Sequence, residues 1–240
     1  MITIFFAIAC VTPQRVERSQ TRTTLGTAYL SEGNPSDAIK ALEEATKLDP
    51  RNAEAWEKLG LAYSAKGASA LAEKSFQKAI RYNPEKAEFR NNYGLLLMSQ
   101  GRWDDAIVQF EIGLEDLSYR NTALILNNLG QAHYQNHSYE QSIQVLTQAI
   151  NRAPNMCQAR FNRGLSYNSL SKPDLALSDF LQVITLCGDV ATGAYYQAGQ
   201  IMIATGDVPG GCSYLQTTIR DAGTAPLGVQ AQIKFNSLCQ

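Results

Sequence analysis

Between Ala53 and Lys86 the apolar and small residues keep two helical periods separated by a polar break. Trp56, Leu59, Gly60 and Tyr63 fall three or four positions apart, one face of a first helix, and Ala72, Phe76 and Ala79 make the matching face of a second. Gly60 and Ala72 carry little or no side chain, so the two backbones are expected to approach closely where the helices cross. Tyr63 and Phe76 would fill the space beside that crossing. Pro84 stops the second helix and starts the turn to the next unit.

This hairpin recurs along the chain. The stretch 19–52 keeps Leu25, Gly26, Tyr29, Ala38, Leu42, Ala45 and Pro50, with Gly33-Asn34-Pro35-Ser36 as its turn, and 53–86 is the unit just described. The stretch 87–122 keeps Tyr93, Gly94, Leu97, Ala106, Phe110 and Gly113 but runs two residues long, with Ser118 where proline was due. The stretch 123–156 keeps Leu129, Gly130, Ser142, Leu146, Ala149 and Pro154, and 157–191 keeps Gly164, Tyr167, Ala176 and Phe180. A sixth, 192–223, is marked by Gly199, Gly206, Gly211 and Leu215. The eighth position is glycine in every unit: Gly26, Gly60, Gly94, Gly130, Gly164 and Gly199. Spacing and landmarks fit the tetratricopeptide pattern, a pair of antiparallel helices in roughly 34 residues. The expected fold is all-α, a right-handed superhelix of about six such repeats whose first helices line a concave surface. After Pro226, residues 224–240 carry Leu227, Val229, Ile233, Phe235 and Leu238, enough for a capping helix over the end of the stack.

Charge narrows the partners. With 21 basic and 22 acidic side chains there is no net field to draw nucleic acid or an anionic membrane, and no apolar run approaches the length of a membrane-spanning helix. No nucleophile constellation, phosphate loop or dinucleotide fingerprint is present. Gly206-Asp207-Val208-Pro209-Gly210-Gly211 lacks the Lys-Ser/Thr that phosphate binding needs and reads as a turn. His133 and His137 are four apart but occupy a packing and a turn position, and no third ligand is indicated, so no metal site is expected. The chain reads as a non-enzyme without cofactor or small-molecule substrate.

The first residues differ from the rest. Met1 to Ala9 is almost wholly apolar, and Ala7-Ile8-Ala9-Cys10 resembles a bacterial lipobox, so 1–9 is read as a signal peptide, truncated because no Lys or Arg precedes Cys10. Cys10 is then the lipid carrier, and Thr12 to Arg18, with Pro13, a linker. Removing Cys10 leaves four cysteines. Cys157 opens the first helix of repeat five and Cys187 closes its second, ends that lie side by side in an antiparallel pair, and Cys212 with Cys239 would pin the last helix to the last repeat. Each bridge would contribute about 3–4 kcal/mol. The other reading is buried free thiols in a cytosolic protein.

Function should lie on the concave surface. Positions 2, 5, 9, 12 and 13 of each repeat supply Leu30, Leu61, Leu95, Met98, Tyr134, Phe161, Leu165 and Tyr196, with Asn91, Asn127 and Asn168. That is an apolar groove with interspersed amides, suited to a peptide or an amphipathic helix. Glu54, Glu57 and Glu88 add acidity. A clamp for acidic chain ends is not expected, since Lys58 is the sole basic residue at the positions such a clamp uses.

A narrower likeness sits in repeat three. Asn91-Asn92-Tyr93-Gly94, then Gly101-Arg102-Trp103, then the lengthened segment through Tyr119, Arg120, Asn128, Leu129 and Gly130, resembles the type IV pilus pilotin family (PilF-, PilW- and Tgl-like lipoproteins). The resemblance implies a lipid-anchored scaffold at the periplasmic face of the outer membrane, held through Cys10, which receives secretin subunits and promotes their placement and ring assembly. A general periplasmic adaptor for cell-wall enzymes and a cytosolic co-chaperone scaffold are the alternative expectations.

Overall fold

The computed structural model describes residues 12–116, 118–188 and 191–239. They form two compact all-α units, divided between Tyr119 and Arg120. The first holds three antiparallel pairs: α1 (Pro13–Ser31) with α2 (Pro35–Leu48), α3 (Ala53–Ala65) with α4 (Ser69–Tyr82), and α5 (Ala87–Ser99) with α6 (Trp103–Gly113). The second pairs α7 (Thr122–Gln135) with α8 (Tyr139–Arg152), α9 (Cys157–Ser169) with α10 (Pro173–Cys187), and α11 (Thr192–Ala204) with α12 (Val208–Ala222). α13 (Pro226–Leu238) lies against α12.

Each hairpin turns on a residue in the left-handed region. Gly33, Gly67, Gly101 and Gly206 have φ of 70°, 72°, 73° and 103°, and His137 (59°) and Ser171 (55°) take the same conformation in the fourth and fifth hairpins. Side-chain caps then restart the chain: Asn34 accepts from the Asp37 N–H, Asn52 from Ala55 and Asp207 from Gly210. The long turn of repeat three is held by Asp116, which accepts from the backbone and hydroxyl of Ser118 and, with its other oxygen, from the Ala87 N–H at the start of α5.

The glycine at position eight is a socket more than a point of backbone approach. A β-carbon at Gly60, Gly94 or Gly164 would strike the ring of Phe76, Phe110 or Phe180, and one at Gly26 or Gly130 would strike Leu42 or Leu146. All five bulky partners are fully buried. The expected backbone contact occurs only in the sixth hairpin, where Gly199 and Gly211 face each other's carbonyl oxygens.

Two expectations are corrected. The stretch Thr12–Arg18 is not a linker, because α1 begins at Pro13. Proline has no N–H where the first helical turn leaves one unsatisfied, and its fixed φ suits that position. Arg15 from this stretch donates to the Lys47 carbonyl of α2. Helix α13 forms, but it seats through Gly228 and Ala231, leaving Val229, Ile233 and Leu238 exposed, Ile233 at 64%. Small residues let the helix lie close to the turn at Gly223, which rotates the aliphatic stripe outward. Met1 to Val11, including Cys10, lie outside the described residues.

Candidate functional site

In the first unit the face built by α1, α3 and α5 is largely tied up by its own polar groups. Gln20 Nε2 reaches Glu54 Oε2 at 3.5 Å. Lys58 Nζ sits 2.9 Å from Glu57 and 3.3 Å from Glu88, and Asn92 Nδ2 donates to Glu57 Oε1 at 2.6 Å. Glu57, expected to add acidity to an open groove, is instead fully buried, and that burial pushes its carboxyl up against the opposing pull of Lys58.

Position five explains much of this. Thr23, Glu57, Asn91 and Asn127 hold it in the first four repeats, and all four are buried. At that register a side chain points toward a neighbouring element. Thr23 accepts from Asn52, Glu57 from Asn92 and Asn127 from Asn162. Asn91 donates to Asn92. Asn91, Asn127 and the equally buried Met98 therefore pack between helices and line no open groove. Leu30 is half-buried against Ala38, Leu42, Leu59 and Ala62. Leu61 is half-exposed, and Leu95, 41% accessible, is the one apolar candidate on this face that stands clear.

In the fifth and sixth repeats position five passes to aromatic residues, Phe161 and Tyr196, both partly accessible. Phe161 stacks on Phe180 with centroids 5.5 Å apart, and with Leu165 it packs against a core of Ala176, Val183, Ala194 and Ile201. Tyr134 stacks on Tyr139, also at 5.5 Å. Asn168 is exposed at the rim of a cavity of about 420 Å³ whose wall adds Gln197, Gln200 and Lys234. Beneath this face Arg163 makes a two-pronged bond to Asp179, both at 2.8 Å, and donates to Thr147, joining α8, α9 and α10. The hydrogen bonds it donates to Asp179 hold the guanidinium above its ordinary pKa.

The cysteines stand in two pairs at bonding distance. Cys157 and Cys187 join the start of α9 to the end of α10 with Cα atoms 6.5 Å apart, and Cys212 and Cys239 join α12 to the end of α13 at 5.8 Å. Among the described residues no three His, Cys, Asp or Glu side chains gather as metal ligands would. His137 turns its Nδ1 to the Tyr139 hydroxyl at 2.8 Å.

The stretch that carried the family likeness proves to be bonded together. The Tyr93 hydroxyl donates to Glu73 Oε1 at 2.7 Å, and Arg102 Nη1 donates to both oxygens of Glu73 at 2.9 and 3.0 Å. Burial alone would raise the Glu73 pKa, but the hydrogen bonds from Arg102 and Tyr93 and the charge of Arg102 outweigh it and hold the carboxyl low.

A profile of the tetratricopeptide repeat matches residues 23–81, 58–111 and 127–190, together more than half of the chain. The chain belongs to the tetratricopeptide repeat family. Comparison with curated proteins gives no match. Among solved structures, this tetratricopeptide chain is similar to PilF of Pseudomonas aeruginosa, with a TM-score of 0.80 and 20% identity over 92% of this chain and 99% of that one. It is similar also to PilW, described as a widely conserved type IV pilus biogenesis factor, with a TM-score of 0.82 and 20% identity over 89% and 98% of the two chains. YrrB, a tetratricopeptide protein with an unusual peptide-binding site, aligns with a TM-score of 0.63 and 18% identity over 81% and 99%.

One surface escaped the sequence reading: a groove among α2, α3 and α4 lined by Trp56, Tyr63, Leu71 and three lysines. Attention to first-helix positions alone passes over it. The signal was there in Lys74 and Lys78, four apart on α4 beside an exposed Leu71.

Proposed function

We propose that this protein is a non-enzymatic scaffold of type IV pilus biogenesis that acts as a pilotin: anchored through lipid on Cys10, it binds secretin subunits and promotes their outer-membrane placement and multimer assembly. The observation that carries the reading is the end-to-end likeness to PilF and PilW, which covers about nine-tenths of this chain and nearly all of each of theirs. Tyr93 and Arg102, both in the stretch through which the sequence resembles pilotins, are bonded to Glu73 of the preceding repeat, so that stretch is held to its neighbour. Two cysteine pairs at bonding distance favour an oxidising compartment over a cytosolic co-chaperone role. Each unit offers its own apolar surface to a protein partner, Leu61 and Leu95 in the first and Phe161, Leu165 and Tyr196 in the second, where the Asn168 amide adds a hydrogen-bonding group.

Deleting the gene tests this reading. Secretin is expected to run as monomers in place of heat-resistant multimers, and pili to be lost. Cys10→Ala should move the protein out of the outer-membrane fraction. Normal secretin multimers and normal pili, with cell-wall synthases or hydrolases recovered on crosslinking, would replace it by the periplasmic-adaptor alternative.

A further inference from the structure

A second surface, on second helices, has the composition of a ligand site. The groove among α2, α3 and α4 encloses about 360 Å³ and is floored by Trp56, Leu59 and Tyr63, with Leu71, half exposed, on its wall. The Trp56 indole is fixed by its N–H, which donates to the Pro50 carbonyl at 2.9 Å, and Lys78 Nζ lies 3.7 Å from the centre of the ring. Lys47 and Lys74 stand on the rim.

The charges here do not balance. Glu43 is the only carboxylate in the lining, and its Oε1 already accepts from the Tyr63 hydroxyl at 2.7 Å. Lys47 reaches Glu43 only at 4.0 Å, and among the described residues no carboxylate pairs with Lys74 or Lys78. Three ammonium groups thus surround an apolar and aromatic floor on a chain of net charge −1. A bare anion would use the lysines and leave Trp56 and Leu71 uncovered. A peptide with one apolar side chain between carboxylates satisfies both parts, the side chain on the indole and Leu71 and the carboxylates on the lysines.

We infer that this groove binds a short acidic peptide segment of a partner protein through one aliphatic or aromatic side chain flanked by Asp or Glu. The site is separate from the first-helix face, so its test does not depend on the pilotin reading.

The probe is a fluorescein-labelled Asp-Glu-Leu-Glu-Asp peptide titrated into the full-length protein and followed by anisotropy. Saturable binding is expected, about tenfold weaker for Lys74→Glu and about tenfold weaker again for Lys74→Glu with Lys78→Glu, and reduced as salt rises. Replacing the peptide leucine by alanine should also weaken it several-fold. Leu95→Asp, on the first-helix face, should leave it unchanged. Circular dichroism of the lysine variants separates loss of the site from loss of fold, and Lys74→Gln provides a milder variant should the reversed charge unfold the unit. Equal binding of Lys-Lys-Leu-Lys-Lys, indifference to the lysine substitutions, or no binding at millimolar peptide would overturn the inference. So would displacement by inorganic phosphate at equal concentration, which would make it an anion site, or a Lys74-dependent dimer, which would make the occupant a second copy.

Discussion

Gly94→Ala offers the sharpest test of how the hairpins are packed. A β-carbon at Gly94 would lie 2.5, 2.7 and 2.9 Å from three carbons of the Phe110 ring, where unstrained contacts fall at about 3.5–4.0 Å. The ring must retreat by about 1 Å, and Phe110 is fully buried with nowhere open to go. Overpacking of this kind costs about 1–3 kcal/mol, while alanine in place of glycine in a helix returns about 1 kcal/mol. The net expectation is destabilisation of up to about 2 kcal/mol. In a Phe110→Ala background the obstacle is gone, so the same substitution should stabilise by up to about 1 kcal/mol. This inversion of sign is the signature of a socket, with a coupling energy of about 1–3 kcal/mol between the two positions. Urea unfolding followed by tryptophan emission isolates the relevant half of the molecule, because the chain's two tryptophans, Trp56 and Trp103, both lie in the first unit. A Gly94→Ala protein as stable as the parent, or an effect of the same sign in both backgrounds, would refute the packing argument.

Three further expectations follow from particular contacts. Denatured, unreduced protein should show no free thiol at Cys157, Cys187, Cys212 or Cys239, and replacing Cys157 and Cys187, 30 residues apart, by alanine should lower stability by about 3–4 kcal/mol in a thermal or urea melt. Ser171, held at φ 55°, should accept glycine with a gain of up to about 1 kcal/mol. His137→Gly should gain less because it gives up the 2.8 Å contact with Tyr139, a ranking that paired melts would read. Glu73 has its pKa lowered from 4.5, so the stability it contributes is present above that value and is lost as pH falls through the lower, folded one. Glu73→Gln should therefore reduce the melting temperature at neutral pH, with the difference from wild type shrinking as pH falls below the ordinary carboxylate range.

The hairpins were legible because two independent signals agree at each of them. Apolar spacing marks the buried stripe, and a glycine in the left-handed turn marks where one helix gives way to the next. Where the second signal changes chemistry, as at His137, the spacing alone still placed the turn, while the turn at Ser171 carried no such mark. The start of α1 was hidden by Pro13, which is read as a breaker unless it stands at the first position of a helix, and nothing local distinguishes the two. The outward stripe of α13 was hidden for a different reason. Val229, Ile233 and Leu238 have the spacing of a buried face, but which face is buried depends on how closely the backbone can approach, and Gly228 with Ala231 decided that.

The candidate site was harder to read because a position in a repeat does not carry its own solvent exposure. Position five faces a ligand only where successive first helices leave a gap, and in the first, second and fourth repeats the residues there bridge it themselves: Asn52 to Thr23, Asn92 to Glu57, Asn162 to Asn127. Sealing is polar, so opening it would strand buried hydrogen-bonding groups, Glu57 above all. A partner of the first-helix face therefore gains nothing by prying these helices apart. In the first unit it must take hold through Leu95, which already stands clear, and the half-exposed Leu61. In the second it meets Phe161 and Tyr196, each with part of its aromatic surface open. It follows that Leu95→Asp and Tyr196→Asp should each weaken such a partner, whereas Asn91→Ala and Asn127→Ala should act through stability first.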